Sequence, residues 1–304
     1  MPSSIHIGIS GWRYAGWRGV FYPPGLVQAR ELDFASRAVQ TIEINGSHYA
    51  LQTPASYQDW HDATPDGFIF SVKGPRYITH MLRLEGERMP AAMANFFGSG
   101  LFKLRAKLGP ILWQFPPNMS FKPEVFEAFL QQLPKDTESA AEMARHHDQK
   151  LKHASTTPDR KRRMRHAIEI RHESFCDAAF VKLLRKYSAA LVVSDSVMDW
   201  PYAEDLTADF VYMRLHGPEV LYGGQYTDAQ LDRWAQRIRA WASGGEPDDA
   251  QRLSPAPPRR RAARDVFCYF DNDQKVRAPF DARRLIQRLA PEKAQALEPL
   301  SLAV

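Results

Sequence analysis

The chain has 304 residues, 44% of them hydrophobic and 25% charged, with a formal net charge of +5. It is long enough to bury one large core, and with only Cys176 and Cys268 it excludes a disulfide framework and any metal site built on paired cysteines. No apolar run is long enough to span a bilayer and no secretory segment follows Met1, so a cytoplasmic protein with no membrane partner is expected.

In chain order, Ile5-His6-Ile7-Gly8-Ile9-Ser10 reads as a first strand, closed by Gly11 and an aromatic loop holding Trp12, Tyr14 and Trp17. A helix over about 29–38 leads to a second strand, Thr41-Ile42-Glu43-Ile44-Asn45, and then to the loop Gly46-Ser47-His48-Tyr49. Pro54 opens the next helix. Phe68 to Lys73 forms the third strand, ended by Gly74-Pro75, with a helix after it over roughly 90–107. Pro110 to Phe115 is the fourth, stopped by Pro116-Pro117 and followed by a helix from about Pro123 to Leu133.

Ala167-Ile168-Glu169-Ile170-Arg171 is the fifth strand, and a helix from Asp177 to Tyr187 follows it. Ala190 to Asp195 is the sixth. The connection 196–209 is too short and too aromatic for a full helix, so this crossover is expected to be degenerate. Phe210 to His216 is the seventh strand; Leu231, Trp234, Ile238 and Trp241 then mark an amphipathic helix. Val266 to Asp271 is the eighth, with a last helix near 281–290. The whole basic excess lies in 136–165 (eight Lys/Arg against five acids) and 244–264 (five Arg against three acids). Segments 136–164 and 244–264 are therefore expected as basic, low-complexity, solvated insertions, and a short tail over 299–304.

Eight short apolar strands alternating with helices predict an α/β chain folded as a single (β/α)8 TIM-like barrel over 1–304, with a doubly wound open sheet as the runner-up. Side chains along a strand alternate faces. Turning the aliphatic residues toward the helices puts Glu43, Asn45, Ser71, Lys73, Gln114, Glu169, Arg171, Asp195, Tyr212, Arg214, His216 and Asp271 inside, near the C-terminal strand ends where such barrels carry their sites. Buried charges of this kind must pair with one another or with a ligand.

The expected catalytic set is Glu43, Lys73, Glu169, Asp195, His216 and Asp271. Glu169 or Glu43 is expected as general acid/base, Lys73 as an alternative Schiff-base former, and Arg214 and His216 as the groups that hold an anion. The expected binding set is Trp12, Asn45, Tyr49, Gln114, Arg171, His172, Arg214, Gly217, Tyr222 and Asn272. The glycine-rich loop after strand seven and Asn272 after strand eight occupy the positions where barrels bind phosphate. Loop aromatics such as Trp200 and Tyr222 offer stacking platforms.

These features point to a hydrolase, isomerase or lyase acting on a small anionic substrate such as a phosphorylated sugar or nucleotide. A nucleic-acid-binding or endonuclease-like phosphodiesterase and a non-catalytic metabolite-binding module are the alternatives. No cofactor is expected. A divalent metal on the carboxylates is the minor alternative, because Lys73, Arg171 and Arg214 compete for the same oxygens.

Gly8-Ile-Ser-Gly-Trp12, Phe21-Tyr-Pro23, Glu43-Ile-Asn45 with Tyr49, Lys73 with Thr79-His80, and Gly109-Pro-Ile-Leu-Trp-Gln-Phe-Pro116 together resemble the YecE-like family, a domain of unknown function. Glu169-Ile-Arg-His172, Tyr212-Met-Arg-Leu-His-Gly217 and Tyr269-Phe-Asp-Asn272 continue the match. The resemblance implies a TIM-type barrel and brings no reaction with it. An endonuclease-like role enters only by analogy of fold.

Overall fold

The computed structural model describes residues 3–297, so the tail expected over 299–304 lies outside the described residues. Eight parallel strands close in sequence order, with β8 pairing back to β1. They are β1 (Ile5–Ser10), β2 (Thr41–Ile44), β3 (Ile69–Lys73), β4 (Leu108–Gln114), β5 (His166–Glu169), β6 (Ala190–Asp195), β7 (Phe210–Leu215) and β8 (Asp265–Phe270). The helices are α1 (Glu31–Ala38), α2 (Gly46–Tyr49), α3 (Pro54–Asp62), α4 (Met89–Gly98), α5 (Pro123–Gln132), α6 (Thr137–Ala144), α7 (Ala178–Tyr187), α8 (Asp228–Ala242), α9 (Arg277–Leu289) and α10 (Pro291–Gln295). The (β/α)8 expectation holds, and 196–209, between β6 and β7, carries no helix.

Alternation divides the apolar residues into two cores. Ile7, Ile9, Ile42, Ile44, Phe70, Val72, Trp113, Ile168, Met213 and Cys268 face the helices and join the large outer core. Leu112, Ala167, Ala190, Val192, Phe210, Tyr212, Phe267 and Tyr269 form a smaller core inside the barrel. This inner core fills the floor, so the inward residues nearer the C-terminal ends meet above a closed base. Gly8 lets β1 and β2 approach: a Cβ there would lie 1.7 Å from the Thr41 carbonyl oxygen.

Helix 90–107 is split. Gly100 adopts φ +128 with its Cα packed on α3, where a Cβ would stand 2.6 Å from the Pro54 Cα, so α4 stops and a 3-10 segment over Leu101–Lys107 leads into β4. Segment 136–164 also differs from a purely solvated insertion. Asp136 caps α6 by accepting from the backbone N–H groups of Glu138 and Ser139, and Ala140, Ala141 and Ala144 are buried. Small alanines carried the packing here, and the composition that looked poor in apolar bulk hid them. In 244–264, Glu204 accepts from the Gln251 N–H and Asp205 from the Leu253 N–H, which tie the segment to the β6–β7 connection.

Candidate functional site at the barrel mouth

Arg214, on β7, is the centre of the polar layer and only 1% exposed. Its Nη2 donates to Glu43 Oε1 (3.0 Å), Asp271 Oδ2 (2.8 Å) and Ser10 Oγ (3.1 Å); its Nη1 donates to Glu169 Oε2 (3.0 Å) and its Nε to Glu43 Oε2 (3.2 Å). One guanidinium therefore holds acids from β2, β5 and the end of β8. Its five-donor fork is the geometry such a junction needs. Three carboxylates in turn raise its own proton affinity far above the ordinary range, against the opposing effect of burial.

Glu43 is saturated. Ser10 Oγ donates to its Oε1 (2.6 Å) and Tyr212 Oη to its Oε2 (2.6 Å), beside the two contacts from Arg214. Glu169 Oε1 receives Arg171 Nε (3.0 Å) and Nη2 (2.8 Å), with His216 Nε2 at 3.6 Å. Burial alone would push the Glu169 carboxyl up; Arg171 and Arg214 hold it well below the usual carboxylate range. Asp271 behaves likewise: burial opposes ionisation, but Arg214 and then His216 bring it to about 2. His216 Nδ1 lies 3.0 Å from Asp271 Oδ2, and a carboxylate can only accept, so Nδ1 carries the proton.

The anion-holding role expected of Arg214 and His216 does not survive this geometry. Both are buried, and the donors of Arg214 are already engaged by carboxylates of the chain itself. The same guanidinium stands among the oxygens that a divalent metal would use, so the carboxylate set does not fit an ion.

The open groups lie elsewhere, along the adjacent ends of β3, β4 and β5. Lys73 is 7% exposed and Gln114 5%, and neither side chain has a hydrogen bond or ion pair with a described residue. Arg171 uses Nε and Nη2 on Glu169 and leaves Nη1 without a described partner; its guanidinium lies 3.7 Å from the ring centre of Trp200. Burial, and then the charge of Arg214, lower the Lys73 ammonium to about 8. Gly74 fixes this strand end, since a Cβ on it would sit 2.5 Å from the Trp113 ring. Behind it, His48 Nδ1 donates to the Gly74 carbonyl (2.8 Å), and the rings of His48 and His80 are 5.1 Å apart.

Asp195 is a correction. β6 is apolar on both faces, so alternation gave no parity there, and the register pairs Ser194 with Arg214. Asp195 thus points to the helix side with Leu191 and Val193, where it accepts from Tyr226 Oη (2.9 Å) and burial raises its carboxyl. Ser194 takes the inward place.

Gly217, Tyr222 and Asn272 also depart from expectation. The Gly217 N–H donates to Tyr226 Oη, the Tyr222 N–H to the His216 carbonyl, and the Asn272 amide to the Gly224 carbonyl and Asp281. These bonds close a tight loop upon itself, so the Gly217 and Tyr222 N–H groups and the Asn272 amide are already engaged within the chain. Tyr222 still packs edge-on against His216, with ring centres 5.6 Å apart. His172 accepts from the Ser174 N–H and caps a 3-10 turn, outside the cluster. Trp12 packs on Trp60, and Tyr49 is 71% exposed; with Asn45 they line a cavity of about 370 Å³ beside the mouth. Asn45 itself donates to Ser10 Oγ at 2.9 Å, so it touches the cluster's edge.

Ser10 was missed, although the pattern held it: His6, Gly8 and Ser10 alternate with Ile5, Ile7 and Ile9. Tyr269 escapes the same reading, whereas Ser71 is inside as alternation predicts, at 2.6 Å from Tyr212 Oη. Burial pushes the Asp273 carboxyl up to about 6, aided by Asp271, and no sequence signal marked it.

Architecture and polar layer together define a (β/α)8 barrel whose C-terminal end carries a buried acid–arginine–histidine cluster with open donors above it. The chain belongs to the DUF72 family: the model described as "Protein of unknown function DUF72" matches residues 6–302. The resemblance to YecE-like sequences is carried at the level of that family. The UPF0759 protein YunF of Bacillus subtilis (strain 168) is 30% identical over 125 residues, 40% of this chain and 43% of that protein, so the chain spans less than half of that relative. A DUF72 family protein from Thermotoga maritima has a similar fold at TM-score 0.69 and 22% identity, covering 94% of this chain and 99% of that one. One from Enterococcus faecalis V583 gives TM-score 0.65 at 16% identity, covering 94% and 95%. Among the described residues no helix is long and apolar enough to cross a membrane.

Proposed function

We propose that the barrel mouth is an active site for a small anionic molecule, such as a phosphorylated sugar or nucleotide, and that Lys73, Gln114 and Arg171 bind it. The observation that carries this reading is the arc of open donors on three adjacent strand ends. Polar side chains this covered are normally paired within the protein, and a group left open among them is a place for a ligand. Glu43, Glu169 and Asp271 supply the fixed negative charge beneath the arc. Glu169, held ionised by Arg171 and Arg214, keeps its negative charge near neutral pH; Lys73 is the group that exchanges a proton there.

Binding of inorganic phosphate and of phosphorylated sugars, followed by chemical shifts and calorimetry, tests the reading. Lys73→Met, Gln114→Leu and Arg171→Met should each weaken binding by about tenfold, the worth of one charge-assisted hydrogen bond. Unchanged binding in all three removes the arc from the account.

A nucleic-acid reading has one specific support. A groove of about 870 Å³ next to the mouth is lined by the exposed Tyr49 and Met81 together with Arg76, Arg88 and Lys150. An aromatic ring among cations suits a single strand. That reading requires affinity for an oligonucleotide that falls steeply with salt, and a shallower slope in Arg76→Ala and Arg88→Ala.

A further inference from the structure

We infer that Lys73 is a nucleophilic amine that forms an imine with an aldehyde or ketone bearing an acidic group. This rests on the mouth being a ligand site, and goes further by naming the substrate's reactive group. Lys73 ends β3 on the inward face, is almost wholly covered, and has no ion pair or hydrogen bond with a described residue, although three carboxylates lie within the same polar layer. Those acids are turned to Arg214 and Arg171 instead. A lysine kept for structure would share them. By contrast Lys107, also buried, donates to the carbonyls of His61 and Thr64 and is fully engaged.

The surroundings suit the chemistry. A lysine attacks only as the free amine, and burial with the nearby Arg214 charge makes that form accessible near neutrality. The ammonium first releases a proton to water. Its lone pair then attacks the carbonyl carbon; a proton passes from nitrogen to the new alkoxide, giving a carbinolamine. That hydroxyl takes up a proton and leaves as water while the nitrogen lone pair closes the C=N bond. In sum, one ammonium and one carbonyl give one iminium and one water, with the charge conserved. The iminium keeps the single positive charge that faces Glu43, Glu169 and Asp271, so the cluster's balance is undisturbed. Burial, then the Lys73 charge, lower His48 to about 3, so its ring is neutral, with its Nδ1–H engaged by the Gly74 carbonyl and its Nε2 left as an acceptor. Arg171 Nη1 and the Gln114 amide are the open donors for the substrate's acidic group.

Trapping tests this. The full-length protein is incubated with glyoxylate, or with propionaldehyde as the uncharged counterpart, and reduced with borohydride at neutral pH. The expected result is one secondary-amine adduct per chain, mapped to Lys73, forming about tenfold or more faster than on any surface lysine, and faster with glyoxylate than with propionaldehyde. Lys73→Arg, checked for folding by thermal unfolding, should lose that adduct, and Arg171→Gln should erase the preference for glyoxylate. An unmodified Lys73, or adducts spread evenly over the lysines, overturns the inference. If phosphate still perturbs Gln114 and Arg171 while no adduct forms, the imine fails and the anion site stands; if neither occurs, both fail.

Discussion

Arg214 Nη2 donates to Asp271 Oδ2 over 2.8 Å, joining β7 to the end of β8 inside the barrel. The same nitrogen reaches Glu43 and Ser10, so this contact belongs to a network and not to an isolated pair. Taking charges out of water is expensive, and the arrangement persists because each carboxylate finds the guanidinium.

Arg214→Met should therefore be among the most damaging single changes in the chain. It leaves three buried carboxylates without their common cation, for a loss of about 3–5 kcal/mol in denaturant unfolding. Asp271→Asn keeps the shape and an acceptor for Arg214, and should cost clearly less. An Arg214→Met protein as stable as the parent would show that the network is not what holds the mouth together.

The sequence disclosed the barrel and most of this layer because isoleucine, valine and phenylalanine alternate with polar residues in β2, β3, β5 and β7. Where a strand is apolar on both faces, as at Ala190-Leu191-Val192-Val193, parity is silent, and Asp195 faces the helices instead of the interior that the sequence predicts. Which donors stay open is a matter of distance, so alternation alone points to Arg214 as the anion holder and to Arg171 as a partner for a glutamate. Only the fold shows that the first is enclosed by acids and the second keeps a nitrogen with no partner among the described residues.

The acid side of the stability profile should come from histidines. His166 Nε2–H donates to the Pro134 carbonyl and its Nδ1 accepts from Trp113 Nε1–H, so the ring is held neutral, and burial lowers it from 6.5 to about 4. Its contribution is complete above pH 6.5 and is lost as pH falls toward 4, because the unfolded chain binds the proton first. The size is about 3 kcal/mol. His6, lowered to about 4 by burial, adds to the same window. In His166→Gln, unfolding measured from pH 7 to 4 should fall less steeply than in the parent; an equal slope would discharge His166 from this role.

Gly74→Ala should be costly for a residue so small. The new methyl meets the Trp113 ring at 2.5 Å, and that ring is itself fixed by Phe96, Phe129 and His166. Overpacking of this kind costs about 1–3 kcal/mol and would shift the strand end that carries Lys73. The expected outcome is a lower midpoint in thermal unfolding together with altered lysine chemistry at position 73.

At the centre stands Lys73, a covered amine with no ion pair to any described residue. The most direct measurement is a pH titration of lysine Cε resonances by NMR, with Lys73 assigned by the signal missing from Lys73→Met. A midpoint near 8 is predicted, since burial and Arg214 both disfavour the charged form. A midpoint at or above 10.5 would contradict it, placing the ammonium in an ion pair or in open water.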